Sequence, residues 1–175
     1  HGLMGFIGGA HYVHSHLTGI EMELYGSGIV MGAGSGDPKA TSARSSDVYR
    51  NYHRIYAGHN TVIINGDSKG THPGSWKWDN ILYQDKSEII GIEPNINMDQ
   101  TNSDGPFYPV SDNFSFVTVE LDDNVNDALQ QRTLSIIRTS QTTGYYLDIF
   151  RSKSNGVNNF HDYIYHNYGE QLSLT

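Results

Sequence analysis

From His16 onward the chain alternates. His16, Thr18, Ile20, Met22 and Leu24 fall on one side, and Leu17, Gly19, Glu21, Glu23 and Tyr25 on the other. A period of two marks a half-buried β-strand. Gly26-Ser27-Gly28 then predicts a hairpin turn into Ile29-Val30-Met31. Asn60-Thr61-Val62-Ile63-Ile64 predicts a further buried strand, closed by the turn signal Asn65-Gly66. Downstream, strands are expected over 87–93, 114–121, 131–139, 145–153, 160–167 and 171–174, with Gly, Asn, Asp or Ser clusters between them. The first sixteen residues are rich in Gly and His and read as a loop entering the first strand. Residues 32–47 are polar without periodicity, the pattern of a long loop. No stretch sustains an apolar period of 3.6, so helices are expected to be short at most. The expectation is an all-β antiparallel sandwich forming one domain over 1–175.

Composition supports that reading and narrows the partners. Nineteen Gly and twelve Tyr stand against five Pro, and 37% of the 175 residues are hydrophobic, a balance that suits sheets with one wet face. The net charge of −8 argues against nucleic acid, whose phosphates need clustered Lys and Arg. There are no cysteines, so disulfides neither staple the fold nor report its compartment. No apolar run approaches the roughly 18 residues that span a bilayer. The opening His1-Gly2-Leu3-Met4-Gly5 carries no initiator Met or signal peptide, which leads us to expect a fragment whose leader lies upstream.

His14-Ser15-His16 is the sharpest local feature. Residues two apart on a strand share a face, so these imidazoles can converge on one ion or substrate; two histidines alone define no metal site. His59-Asn60 starts a strand after the Tyr- and Arg-rich segment 48–58. Trp76 and Trp78, in a Gly/Pro loop beside His72, present indoles that can stack on a sugar ring or plug a sheet edge. In His161-Asp162-Tyr163-Ile164-Tyr165-His166, alternation puts Asp162, Ile164 and His166 on one face, where an Asp–His hydrogen bond is expected.

The combination is more specific than its parts. His11-Tyr12-Val13-His14-Ser15-His16, followed by a strand and a Gly-rich turn and then by Tyr49-Arg50-Asn51-Tyr52-His53-Arg54-Ile55-Tyr56-Ala57-Gly58-His59-Asn60-Thr61-Val62, resembles the β-domain of heparinase II/III-like polysaccharide lyases. The core of the resemblance runs over 11–66. A looser likeness continues through Arg132-Thr133-Leu134-Ser135-Ile136-Ile137-Arg138 and Leu147-Asp148-Ile149-Phe150-Arg151. It implies a secreted or periplasmic bacterial enzyme whose N-terminal α/α toroid, carrying a proton-moving Tyr, is absent from this chain.

By match, the resemblance puts His14 in the active site and makes His16 and His59 ligands of a structural zinc. Such members take a third ligand from an Asp in an Asp-x-Gly context near the end of the next strand. Here that region reads Gly32-Ala33-Gly34-Ser35-Gly36, and Asp37 is the nearest carboxylate. Tyr52, Arg54, Trp76 and Trp78 are the candidate substrate contacts. The implied reaction is β-elimination on a uronic-acid-containing polysaccharide. A base takes the C5 proton, an acid protonates the leaving glycosidic oxygen, and the uronate carboxylate is neutralised to stabilise the enolate. The fragment alone is expected to be inactive. Two other readings remain open: a non-catalytic carbohydrate-binding sandwich using the Trp pair, and a metalloenzyme using His14, His16 and His59 as ligands with an open site.

Overall fold

A computed structural model of the chain describes residues 3–8, 19–26, 28–32, 52, 55–66, 86–94, 109–123 and 127–166. Nine strands are described there: β1 (Leu3–Gly8), β2 (Glu21–Gly26), β3 (Ile29–Gly32), β4 (Val62–Ile64), β5 (Lys86–Glu93), β6 (Phe114–Asp123), β7 (Ala128–Arg138), β8 (Gly144–Ser154) and β9 (His161–Tyr163). They form a three-stranded sheet β1-β2-β3, a two-stranded sheet β4-β9 and a four-stranded sheet β5-β6-β7-β8. All pairings are antiparallel. The helical content of the described residues is slight, a 3-10 turn at Tyr56–Gly58 and one π-helical residue at Tyr52. The all-β sandwich is therefore observed.

The inward face of each strand explains the layering. Met22 and Leu24 of β2 pack on Leu134 of β7. Ile20, just ahead of β2, packs on Val119 and Leu121 of β6. Val62 and Ile64 of β4 pack on Ala128, with Phe150 alongside. The two smaller sheets thus bury one face each against the four-stranded sheet. Ile63 points the other way, onto Ile55 and Tyr56 of the preceding segment. Burying one such aliphatic side chain is worth about 1.5–3 kcal/mol, so these apolar layers hold the segment around residue 59 in place.

Two expectations need correction. Residues 3–8, read as part of a loop, form β1, paired with β2 from Leu3↔Gly26 to Gly8↔Glu21. Asn65 and Gly66 do turn with positive φ, 56° and 67°. They close β4 as expected, and β4 pairs with β9 across almost a hundred residues of sequence. The Asn65 amide donates to the Phe160 carbonyl, at 2.9 Å. The strand expected over 160–167 stops after Tyr163. Beyond it the Ile164 amide bonds to the Thr61 carbonyl, and the His166 amide bonds to the Asn60 side chain. The strand expected over 171–174 lies outside the described residues.

Candidate functional site

The segment Tyr56 to Thr61 is built to hold its side chains still. The amides of Gly58 and His59 close the 3-10 turn onto the Ile55 and Tyr56 carbonyls, and the Thr61 amide bonds to the His59 carbonyl. Asn60 is fully buried. Its Nδ2 donates to the Met22 carbonyl at 3.2 Å, and its Oδ1 accepts the His166 amide. One side chain thereby ties β2 to the segment after β9.

Below it lies Arg132 on β7, with no exposed surface. Its Nε and Nη2 form a two-pronged pair with Asp148, at 2.8 Å each. Nη1 donates to the carbonyls of Ile20, at 2.7 Å, and of Asn60. Nη2 also donates to the Tyr163 hydroxyl at 2.9 Å, and that hydroxyl donates to Asp148 Oδ2 at 2.6 Å. The guanidinium lies 5.2 Å from the centre of the Phe150 ring. A buried charge is costly unless its donors are filled, and here every arm has a partner. Tyr163 is partly exposed as a residue, but its hydroxyl reaches inward to Arg132. Burial drives the phenol pKa well above its ordinary range, Arg132 opposes that, and the Asp148 contact adds to it.

On the outward face of β2 the alternation brings Glu21, Glu23 and Tyr25 together. His59 is 1% exposed, and its Nδ1 stands 2.9 Å from Glu21 Oε1. Burial raises the Glu21 carboxyl above its usual pKa. Glu23 adds to that, while the bond and charge of His59 and the charge of Arg132 oppose it. The Tyr25 hydroxyl donates to Glu23; that bond, and then burial, raise its phenol pKa. With a Glu21 carboxylate as acceptor, His59 donates this bond through Nδ1–H. A carboxylate on Nδ1 is the usual support of a metal-binding or proton-accepting imidazole.

Of the candidate catalytic, substrate and metal residues, Tyr52 and His59 are described. His14, His16, Arg54, Trp76, Trp78 and Asp37 lie outside the described residues. Tyr52 is 40% exposed and stands edge-on to His166, ring centres 6.0 Å apart at 84°. His166 was expected to pair with Asp162; its Nε2 instead meets the Ala57 carbonyl at 2.8 Å. Among the described residues no group of three or more His, Cys, Asp or Glu is placed to hold a metal ion. On the other face of β2, an open hollow of about 430 Å³ is lined by Tyr146, Asp148, Phe150, Tyr163 and Tyr165, with Met22 and Leu24 as its floor.

Sequence reasoning missed Glu21, Asn60 as a tether, Arg132 and Asp148. A signal existed for Arg132, since it occupies an inward position between Gln130 and Leu134 on an alternating strand. A cation there demands a buried partner. Nothing local named Asp148 as that partner.

Comparison with known proteins adds the decisive likeness. The chain is 52% identical over 174 residues to an endo-acting ulvan lyase of Formosa agariphila. It is similar to part of a polysaccharide lyase. The match covers 99% of this chain and 20% of the relative, so the chain spans about a fifth of that lyase's length. No protein-family model matches. The match extends over nearly the whole chain and is not confined to one short motif.

Proposed function

We propose that this chain is the β-sheet part of a polysaccharide lyase of the heparinase II/III-like type, acting on ulvan or a similar uronic-acid-containing polysaccharide by β-elimination. The observation that carries the proposal is the 52% identity along nearly the whole chain to an ulvan lyase. The spacing of His14-Ser15-His16 and His59-Asn60 supports the finer family assignment. The remainder of such an enzyme, including the α/α toroid and its proton-moving Tyr, would come from outside this chain. Export to the periplasm or beyond follows from a polymeric substrate too large to enter a cell.

In this reading the chain contributes one wall of the cleft. His14 meets the uronate or assists proton transfer. Tyr52, Arg54, Trp76 and Trp78 contact the sugar. Glu21 and Glu23 make the face of β2 acidic, which is a poor place for the uronate itself. The basic residues that neutralise it are therefore assigned to Arg54 and to the rest of the enzyme.

Zinc is proposed as a structural ion held by His59 and His16. The described part of that site fits: a buried imidazole with a carboxylate on Nδ1 is the donor chemistry zinc sites use. Bound there, the ion would cross-link the two histidine segments. Elemental analysis should find about one zinc per chain, lost in His16→Ala.

The test of function is product formation. An enzyme that carries this chain, incubated with ulvan, should release oligosaccharides with the ultraviolet absorbance of an unsaturated uronate. His14→Ala should lower the rate at least about a hundredfold, the scale of a lost acid–base group. Hydrolytic products without the double bond would sink the proposal.

A further inference from the structure

The function just proposed leaves His166 unused, yet its geometry is that of a recognition group. A carbonyl oxygen can only accept, so the 2.8 Å contact with Ala57 fixes the proton on Nε2. In the neutral ring Nδ1 is then a directed acceptor, and it makes no hydrogen bond with any described residue. The ring is only half-buried, and the exposed Tyr52 ring stands edge-on beside it. Its backbone is pinned through the Asn60 side chain and the Tyr52 carbonyl accepts the Ile55 amide, so both rings are registered to the turn that carries His59. A fixed acceptor next to an exposed aromatic is what a sugar needs: a lone pair for one hydroxyl and an apolar surface for the ring's C–H face.

We propose that His166 and Tyr52 together form a glycan-contacting subsite, with His166 Nδ1 accepting a hydroxyl proton from a sugar of the bound chain. The inference rests on the carbohydrate-directed reading above and adds a residue to it.

The experiment uses the chain itself, with its histidine side chains labelled for NMR, titrated with ulvan oligosaccharides. Free protein should show His166 as the Nε2–H tautomer, and titration should shift its Nδ1 resonance. His166→Gln keeps a donor where Nε2 reaches Ala57 and removes the Nδ1 acceptor. It should melt like the parent and bind about tenfold more weakly, a loss of roughly 1.4 kcal/mol. His166→Asn keeps an acceptor near Nδ1 and drops the Ala57 bond. It should melt lower and retain more of the binding. If His166→Gln binds as the parent does, His166 is a structural tether and the inference is overturned, with the lyase reading untouched. Absence of any oligosaccharide-induced shift at His166 overturns it as well. Whether the lyase reading falls too is decided separately, by product release from an enzyme carrying the chain.

Discussion

At the residue scale, the interaction that sets the site is the one between His59 and Glu21. The imidazole has almost no access to water, and its Nδ1 stands 2.9 Å from the Glu21 carboxylate. Removing a buried partner costs more than making the bond yields, because the group left behind stays desolvated. Glu21→Ala should therefore lower stability by about 1–3 kcal/mol, read as a shift in the midpoint of urea unfolding. Glu88→Ala, at an exposed position of β5, should stay within about 0.5 kcal/mol of the parent. Equal midpoints for the two variants would show that the pair does not hold the turn. How far this was legible is instructive. The alternation along 16–25 already placed Glu21, Glu23 and Tyr25 on one face, and His59 stood out as the head of a strand. That the two meet depends on residues 38 apart being brought together by burial of Met22, Leu24, Val62 and Ile64, which no local pattern encodes.

At the element scale, strands with side-chain alternation and turn residues at both ends were readable, and the strand lacking both was not. The alternation along β6, β7 and β8 appears as inward and outward faces, and the hairpin into β3 turns at Gly28 with φ of 80°. By contrast β1 reads Leu-Met-Gly-Phe-Ile-Gly, with two glycines that disfavour a strand on propensity. Tertiary contact overrides propensity here. A Cβ added at Gly5 would stand 2.6 Å from Leu134 Cδ2 and 3.5 Å from the Tyr146 ring, so the glycine lets β1 lie close over β7. Gly5→Ala should then cost about 1–3 kcal/mol through overpacking, and Leu134→Ala about 2–5 kcal/mol through a cavity. Since the new methyl would enter the space that leucine leaves, the double variant should be more stable than the sum of the two predicts, by at least about 0.5 kcal/mol. Strict additivity in a double-mutant cycle would mean that β1 and β7 are not in the contact described.

At the scale of the whole molecule, the four-stranded sheet has two unlike faces. Its inward face packs against the smaller sheets, apart from the open hollow at Tyr146, Asp148 and Phe150. Its outward face is apolar at one end, where the register aligns Phe114, Ile137 and Tyr145 in one row and Phe116, Ser135 and Leu147 in the next. Ile149 follows in the third row, beside Thr133 and Thr118. Phe114, Tyr145, Leu147 and Ile149 are each between 39% and 50% exposed. Charge gathers at the other end, where Glu88, Glu120, Gln131 and Arg151 share a row. A contiguous apolar patch on a sheet face is a site of association, and the net charge of −8 opposes contact only over about a Debye length, roughly 8 Å at physiological salt. The isolated chain should accordingly self-associate more strongly as salt is raised, which light scattering can follow. Replacing both Leu147 and Ile149 by Lys puts like charges in the middle of the patch and should return the chain to monomer at the same salt. The melting temperature should hardly move, because neither side chain faces the buried layers. If the double variant associates like the parent, contact between copies uses another surface and the apolar end of this sheet is not what brings them together.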